Sequence, residues 1–228
     1  MADKHTENDD LIIDETISKT EGYIQENKKS ISIIGGAILV VILGYFGYTN
    51  FIVKPQEESA NREMFMAERY FEKDSVDKAI NGDGQYPGFL EIIDNYGSSN
   101  SANLAQYYLG ICYMKKGEWD NAIEHLSAYD AEDDVTGALA LGAIGDAHLE
   151  KKENEEALKF YMKAIDWDDN QFTAPYFLMK AALAKELITD FKGAADLYER
   201  IKKDYPQSTE ARDIDKYISR AQTLSGKG

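Results

Sequence analysis

Between Asn103 and Pro206 one arrangement recurs three times at a spacing of about 35 residues, and that period limits the fold more than any single residue does. The first copy reads Gln106-x-x-Leu109-Gly110-x-x-Tyr113, then Ala122-x-x-x-Leu126. The second reads Leu141-x-x-Ile144-Gly145-x-x-His148, then Ala157-x-x-x-Tyr161. The third reads Leu178-x-x-Ala181-Ala182-x-x-Lys185, then Ala194-x-x-x-Tyr198, and closes on Pro206. The steps are 35 residues from Gly110 to Gly145 and 37 from Gly145 to Ala182.

Each copy holds two stretches of helical period. In the first, Leu104, Tyr108, Ile111 and Cys112 share one side of a helix A. Ala122, Ile123, Leu126 and Tyr129 keep the same rhythm in a helix B. Polar breaks divide them at Lys115–Glu118, Lys151–Asn154 and Ile188–Asp190. There a Gly or Asn should end helix A, and an Asp or Asn should cap helix B. Gly110, Gly145 and Ala182 fall where the two helices touch, with Ala122, Ala157 and Ala194 opposite them. Trp119, Asn154 and Phe191 share one register, three residues before each alanine. This pattern resembles the tetratricopeptide repeat. It predicts an all-α fold: a right-handed helical solenoid of about three repeats (103–137, 138–174 and 175–207).

Two flanking segments extend the stack. Met64, Phe65, Ala67, Tyr70 and Phe71 read as one helix and Phe89, Leu90, Ile93 and Tyr96 as its partner. They form a degenerate first pair within 54–100, separated by the turn-rich stretch Asn81–Gly88. After Pro206, the residues Ala211, Ile214, Tyr217, Ile218 and Ala221 describe a capping helix over 208–224.

Ahead of the repeats stands the only long apolar run, Ile31–Val53. It is free of charge through Tyr48, enough for about 27 Å of helix, and Tyr45 and Tyr48 sit near one end. No polar face exists and no Ala-x-Ala cleavage pattern follows, so it reads as an uncleaved single-pass anchor. Lys28 and Lys29 precede it and Lys54 alone follows, which favours a cytoplasmic amino terminus. Ser32, Gly36, Val40, Gly44 and Gly47 share one face, a packing surface for another membrane helix. The acidic segment 1–30 carries a helical stripe of Ile13, Ile17, Thr20 and Ile24. That stripe suits a surface amphipathic helix and equally a tail with incidental isoleucines.

The net charge of −16 argues against nucleic acid as a partner. No metal, cofactor or small-molecule substrate site is written in the chain, and no catalytic constellation either. His125 and His148 lack partners at ligand or triad spacing. Cys112 has apolar neighbours and no activating base. The acidic stretches 131–134 and 166–170 lack the glycine and glutamate of a calcium loop. The chain therefore reads as a protein-binding module and not an enzyme.

By the tetratricopeptide resemblance, ligand contacts come from the inner positions of each helix A. Those are Tyr107, Ile111, Met114 and Lys115 in the first copy, Asp146 and Glu150 in the second, and Tyr176, Met179, Leu183 and Glu186 in the third. Part of this set must stack against neighbouring repeats instead of facing a ligand. The Lys/Asn/Arg clamp of chaperone-binding members is not reproduced, since Tyr107, Ile111, Gly142 and Asp146 stand in those places and Lys115 alone matches.

The order of acidic leader, Glu26-Asn27-Lys28-Lys29 before a glycine-bearing span, and repeats resembles the YfgM family of ancillary SecYEG translocon subunits. That resemblance implies a bacterial inner-membrane protein with periplasmic repeats, linking Sec translocon subunits or secreted clients to periplasmic chaperones. Two alternatives remain open. One is a cytoplasm-facing regulator of an envelope-biogenesis enzyme; the other is an envelope-assembly scaffold.

Overall fold

The structure is a computed structural model and describes residues 25–226. The stripe of Ile13, Ile17, Thr20 and Ile24 lies outside the described residues. By its contacts the chain divides into two compact units, Met1–Pro55 and Gln56–Gly228.

The first unit holds helix α1 (Lys28–Tyr48) and a π-helical turn over Thr49–Val53. None of α1 is buried. Its large apolar side chains, from Ile33 to Phe46, stand open on every side. A helix so exposed and apolar is no core helix of this fold. Among the described residues only the helical run that begins with α1 is long and apolar enough to cross a membrane, with a mean hydropathy of 2.1 over its most apolar window. Polar groups at its end are satisfied internally. Thr49 Oγ1 donates to the Tyr45 carbonyl and Asn50 Nδ2 to that of Phe46, both at 2.8 Å. Such back-bonding leaves few polar groups unsatisfied in an apolar surround.

The second unit is built of helical hairpins. Helix α2 (Lys54–Glu72) turns into α3 (Val76–Asn81), and α4 (Phe89–Tyr96) follows. Then come α5 (Asn100–Lys116) with α6 (Trp119–Ala128), and α7 (Asp134–Glu150) with α8 (Asn154–Trp167). Next is α9 (Thr173–Leu187) with α10 (Phe191–Asp204). A 3₁₀ turn (Glu210–Asp213) leads into the last helix, α11 (Ile214–Ser225).

Four turns share one geometry. A residue with positive φ ends each helix A: Asp74 (57°), Gly117 (72°), Lys152 (63°) and Thr189 (64°). The next N–H reaches back to a carbonyl five residues earlier: Ser75 to Tyr70 at 2.8 Å, Glu118 to Tyr113 at 3.0 Å, Glu153 to His148 at 2.9 Å and Asp190 to Lys185 at 2.8 Å. This is the Schellman closure, which satisfies carbonyls left over at a helix end. Only one of the four positions is glycine. Asp190 caps α10, accepting from the Gly193 N–H at 2.9 Å. Asn154, expected from sequence as a cap, is instead the first residue of α8, and Glu153 stands at the cap with its carboxylate turned to His148 and Lys151 and not to the helix N–H groups.

Counting from those turns aligns the hairpins. Ala67, Gly110, Gly145 and Ala182 each stand seven residues before the left-handed residue, and all are buried. Ala79, Ala122, Ala157 and Ala194 each stand five after it, all fully buried. A Cβ on Gly110 would lie 2.5 Å from Leu126 Cγ, and one on Gly145 would lie 2.6 Å from Tyr161 Cε1. Small residues therefore set the distance between paired helices.

In the first pair Phe89 and Ile92 cluster with Met64 and Ala67 of α2, but the partner helix starts before Phe89. This helix B begins at Val76, in the register of Trp119, Asn154 and Phe191. It is interrupted after Asn81 and resumes as α4. The interruption is tight: Gly82 has φ 80°, and a Cβ on Gly88 would lie 2.3 Å from the Ile80 carbonyl. Asp83 pins it, accepting from the Gln85 and Tyr86 N–H groups at 2.9 Å and from the Tyr70 hydroxyl at 2.6 Å.

The core runs as a chain of clusters, as stacked repeats require. Met64, Ile80, Phe89, Ile92, Leu109 and Cys112 fill the first. Leu126, Ala140 and Ile144 form a small second one. Tyr161, Phe177, Leu178, Tyr198 and Ile201 anchor a third that extends to Ile214 and Ile218 of α11.

Candidate protein-interaction face

Because Gly145 and Ala182 face their B helices, residues about 100° further round look away from the pair. There the sequence-predicted positions divide. Tyr107, Ile111 and Met114 are half-buried and pack against Leu126, Ala140 and Ile144. The Tyr107 ring lies 5.4 Å from that of Tyr129. This trio is a stacking contact between the first and second copies. Lys115 is occupied by Asp74 at 2.6 Å and lies over the Phe71 ring. Met179 packs partly against the third cluster. Tyr176 and Leu183 remain exposed, at 42% and 39%.

The exposed pair belongs to a longer strip. Val135 and Phe172 stand ten residues before Gly145 and Ala182; Leu139 and Tyr176 stand six before them. All four are exposed, as is Leu187 on α9. Equivalent positions on adjacent A helices thus carry apolar side chains that stay partly open to solvent, although Lys180 lies over one side of the Tyr176 ring at 5.0 Å. Phe172, 85% exposed, is not there by looseness. Asn170 Oδ1 accepts from the Phe172 and Thr173 N–H groups at 2.6 and 2.8 Å. Asp169 is tied to Arg200 at 3.2 Å and to the Tyr205 hydroxyl. At the head of α7, Asp133 accepts from the Val135 and Thr136 N–H groups. Hydrogen bonds from the Thr136 hydroxyl, then from those N–H groups, hold its carboxyl below the ordinary range. In the acidic loops 131–134 and 166–170, Asp133, Asp169 and Asn170 are therefore spent on capping and bracing.

Both lysines of α9, and the carboxylates of Asp146 and Glu186, are paired within the chain. Lys180 Nζ lies 2.7 Å from Asp146 Oδ1, which also accepts from the Tyr161 hydroxyl at 2.6 Å. Burial works against the Lys180 charge, but the hydrogen bond and charge of Asp146 outweigh it and hold its pKa above the usual value. Glu186 receives Arg220 at 2.7 and 2.9 Å and the Tyr198 hydroxyl at 3.1 Å. Asp146 is thus a clamp between repeats. Cys112 is fully buried, and burial pushes its thiol up to about 11, which leaves it inert at neutral pH.

Sequence reasoning missed Val135, Leu139, Phe172 and Leu187. The available signal was the register of Tyr176, which carries over to Leu139 one repeat earlier. It also missed a cavity of about 370 Å³ whose lining includes Leu126, Tyr129, Ile144, Phe160 and Trp167. The slender α7 leaves that space, and Gly137 lets the Trp167 indole lie where a Cβ would be 2.3 Å from its nitrogen. On α1, a Cβ added to Gly36, Gly44 or Gly47 meets nothing within 4 Å, and Ser32 is exposed.

The sequence family described as tetratricopeptide repeat matches residues 104–132 and 176–208, the first and third copies. Two segments of the chain thus match the tetratricopeptide repeat. Solved structures agree at the level of fold. The TPR-like repeats of a Podosopora anserina protein described as a kinesin light chain align at a TM-score of 0.56 with 13% identity, over 75% of this chain and 88% of that one. MamA aligns at 0.53 with 20% identity, over 75% of this chain and 90% of that one. At such identities the likeness speaks for the fold alone. A search of curated proteins finds no match. The tetratricopeptide stack accounts for the all-helical layout and for the even register of its small residues.

Proposed function

We propose that this chain is a membrane-anchored protein-interaction module, with α1 spanning the bacterial inner membrane and the repeats in the periplasm. Its task in this reading is to link Sec translocon subunits or secreted clients to periplasmic chaperones. The observation that carries the binding role is the exposed apolar strip on α7 and α9, held open by capped helix starts. Contiguous apolar surface on a soluble face signals a partner. The anchor reading rests on the bare apolar surface of α1, and the sidedness on Lys28 and Lys29 ahead of it. Ser32, Gly36, Gly44 and Gly47 offer a second membrane helix a close approach.

Two measurements test this. Alkaline phosphatase and green fluorescent protein fused after Val53 report the side of the membrane: active phosphatase with dark fluorescent protein supports the reading. The reverse pattern overturns periplasmic placement and favours a cytoplasmic regulator. Crosslinking in intact membranes with partner identification then tests the link. Translocon subunits or chaperones support it; reproducible recovery of cytoplasmic enzymes alone contradicts it.

A further inference from the structure

We infer that the strip of Val135, Leu139, Phe172, Tyr176, Leu183 and Leu187 takes a basic amphipathic segment of polypeptide, one with apolar anchors and Lys or Arg beside them. This rests on the interaction-face reading above and names the chemistry of its partner. The charges left over around the strip set the sign of the partner. Helix α7 carries no lysine or arginine, and α9 carries only Lys180 and Lys185. Both are taken: Lys180 by Asp146 at 2.7 Å and Lys185 by Asp190 at 2.5 Å. No cation on either helix is free to meet an incoming carboxylate. The carboxylates are not balanced in the same way. Asp134, one residue before Val135, is exposed and makes no ion pair among the described residues. Glu150, in the register of Leu187 one repeat earlier, is likewise exposed and unpaired.

The strip therefore has apolar side chains along its length and, towards each end, an exposed carboxylate that makes no ion pair among the described residues. An acidic segment would meet repulsion at both. A purely apolar one would strip water from two charges without replacing it. A segment with Lys or Arg outside its apolar anchors satisfies both ends, and such rim pairs steer association while the apolar contacts hold the complex.

The test uses the full-length chain in nanodiscs of zwitterionic phosphatidylcholine and a displayed library of random peptides of about twelve residues. The inference expects enriched binders with apolar residues and net positive charge. Binding should fall about tenfold or more on raising salt from about 0.05 to about 0.5 M, and that dependence should shrink in Asp134→Asn/Glu150→Gln. Binders lost in Tyr176→Ser/Leu183→Ser but carrying no positive bias overturn the charge assignment and leave the face standing. Binders indifferent to Tyr176→Ser/Leu183→Ser, in a protein with unchanged thermal midpoint, overturn the face itself. An empty selection overturns both.

Discussion

Lys180 on α9 reaches back to Asp146 on α7, with Nζ 2.7 Å from Oδ1, so one repeat is fastened to the next by a charge pair on its outward face. The pair is only partly exposed, and Asp146 also receives the Tyr161 hydroxyl from α8. Three helices meet on one carboxylate, and that asymmetry makes a testable difference.

Removing Lys180 leaves Asp146 with its tyrosine, whereas removing Asp146 strands both donors. Lys180→Met should cost about 1 kcal/mol and Asp146→Ala about 2 kcal/mol. Urea unfolding of both single variants and the double variant measures this. The double should fall short of the sum, because the partners share one interaction.

The turn at Thr189 places a β-branched residue at φ 64°. Such a residue is strained there by about 1 kcal/mol, and glycine is not. Thr189→Gly should raise the thermal midpoint, and Gly117→Ala should lower it, although both change a surface turn.

Gly142 sits beneath Phe177, where a Cβ would come within 1.9 Å of the ring. Gly142→Ala should destabilise the stack by about 2 kcal/mol through overpacking. Gly36→Ala, with open space around it, should leave the unfolding of the repeats unchanged.

His125 is partly buried, stacks on Tyr113 at 5.4 Å and bonds Gln106 Oε1 at 2.7 Å. Burial lowers its pKa, and Glu124 opposes that only in part. The folded form therefore gives up its proton at lower pH than the unfolded chain does. Between the two values the unfolded chain holds more protons, so stability rises with pH and is lost as pH falls through about 6.5. Comparing urea midpoints at pH 5.5 and 7.5 should show that loss, and His125→Gln should reduce it.

The repeat was legible because close helix contacts demand small residues at fixed places, and Gly110, Gly145 and Ala182 mark them in the sequence. The turns were legible as breaks but not as conformations, since Lys152 and Thr189 hold a left-handed geometry that neither residue type favours. Helix α3 was hidden by its length: six residues are less than two turns, too few to show a period. Of the positions the sequence marks for contact, Tyr176 and Leu183 of the third copy stand exposed and those of the first are packed. Tyr107, Ile111 and Met114 have the right register and residue types, but the glycine- and alanine-rich α7 leaves room that these side chains and Leu126 fill. Packing between repeats depends on the thickness of the neighbouring helix, which no single repeat encodes.

The most direct test is site-specific photocrosslinking in intact membranes, with the crosslinker placed in turn at Leu139, Tyr176, Leu183 and the exposed Glu156 of α8. Discrete protein adducts from the three strip positions, and none from Glu156, are the predicted result. Adducts from Glu156 alone, or an equal ladder from all four, would contradict an interaction face on α7 and α9.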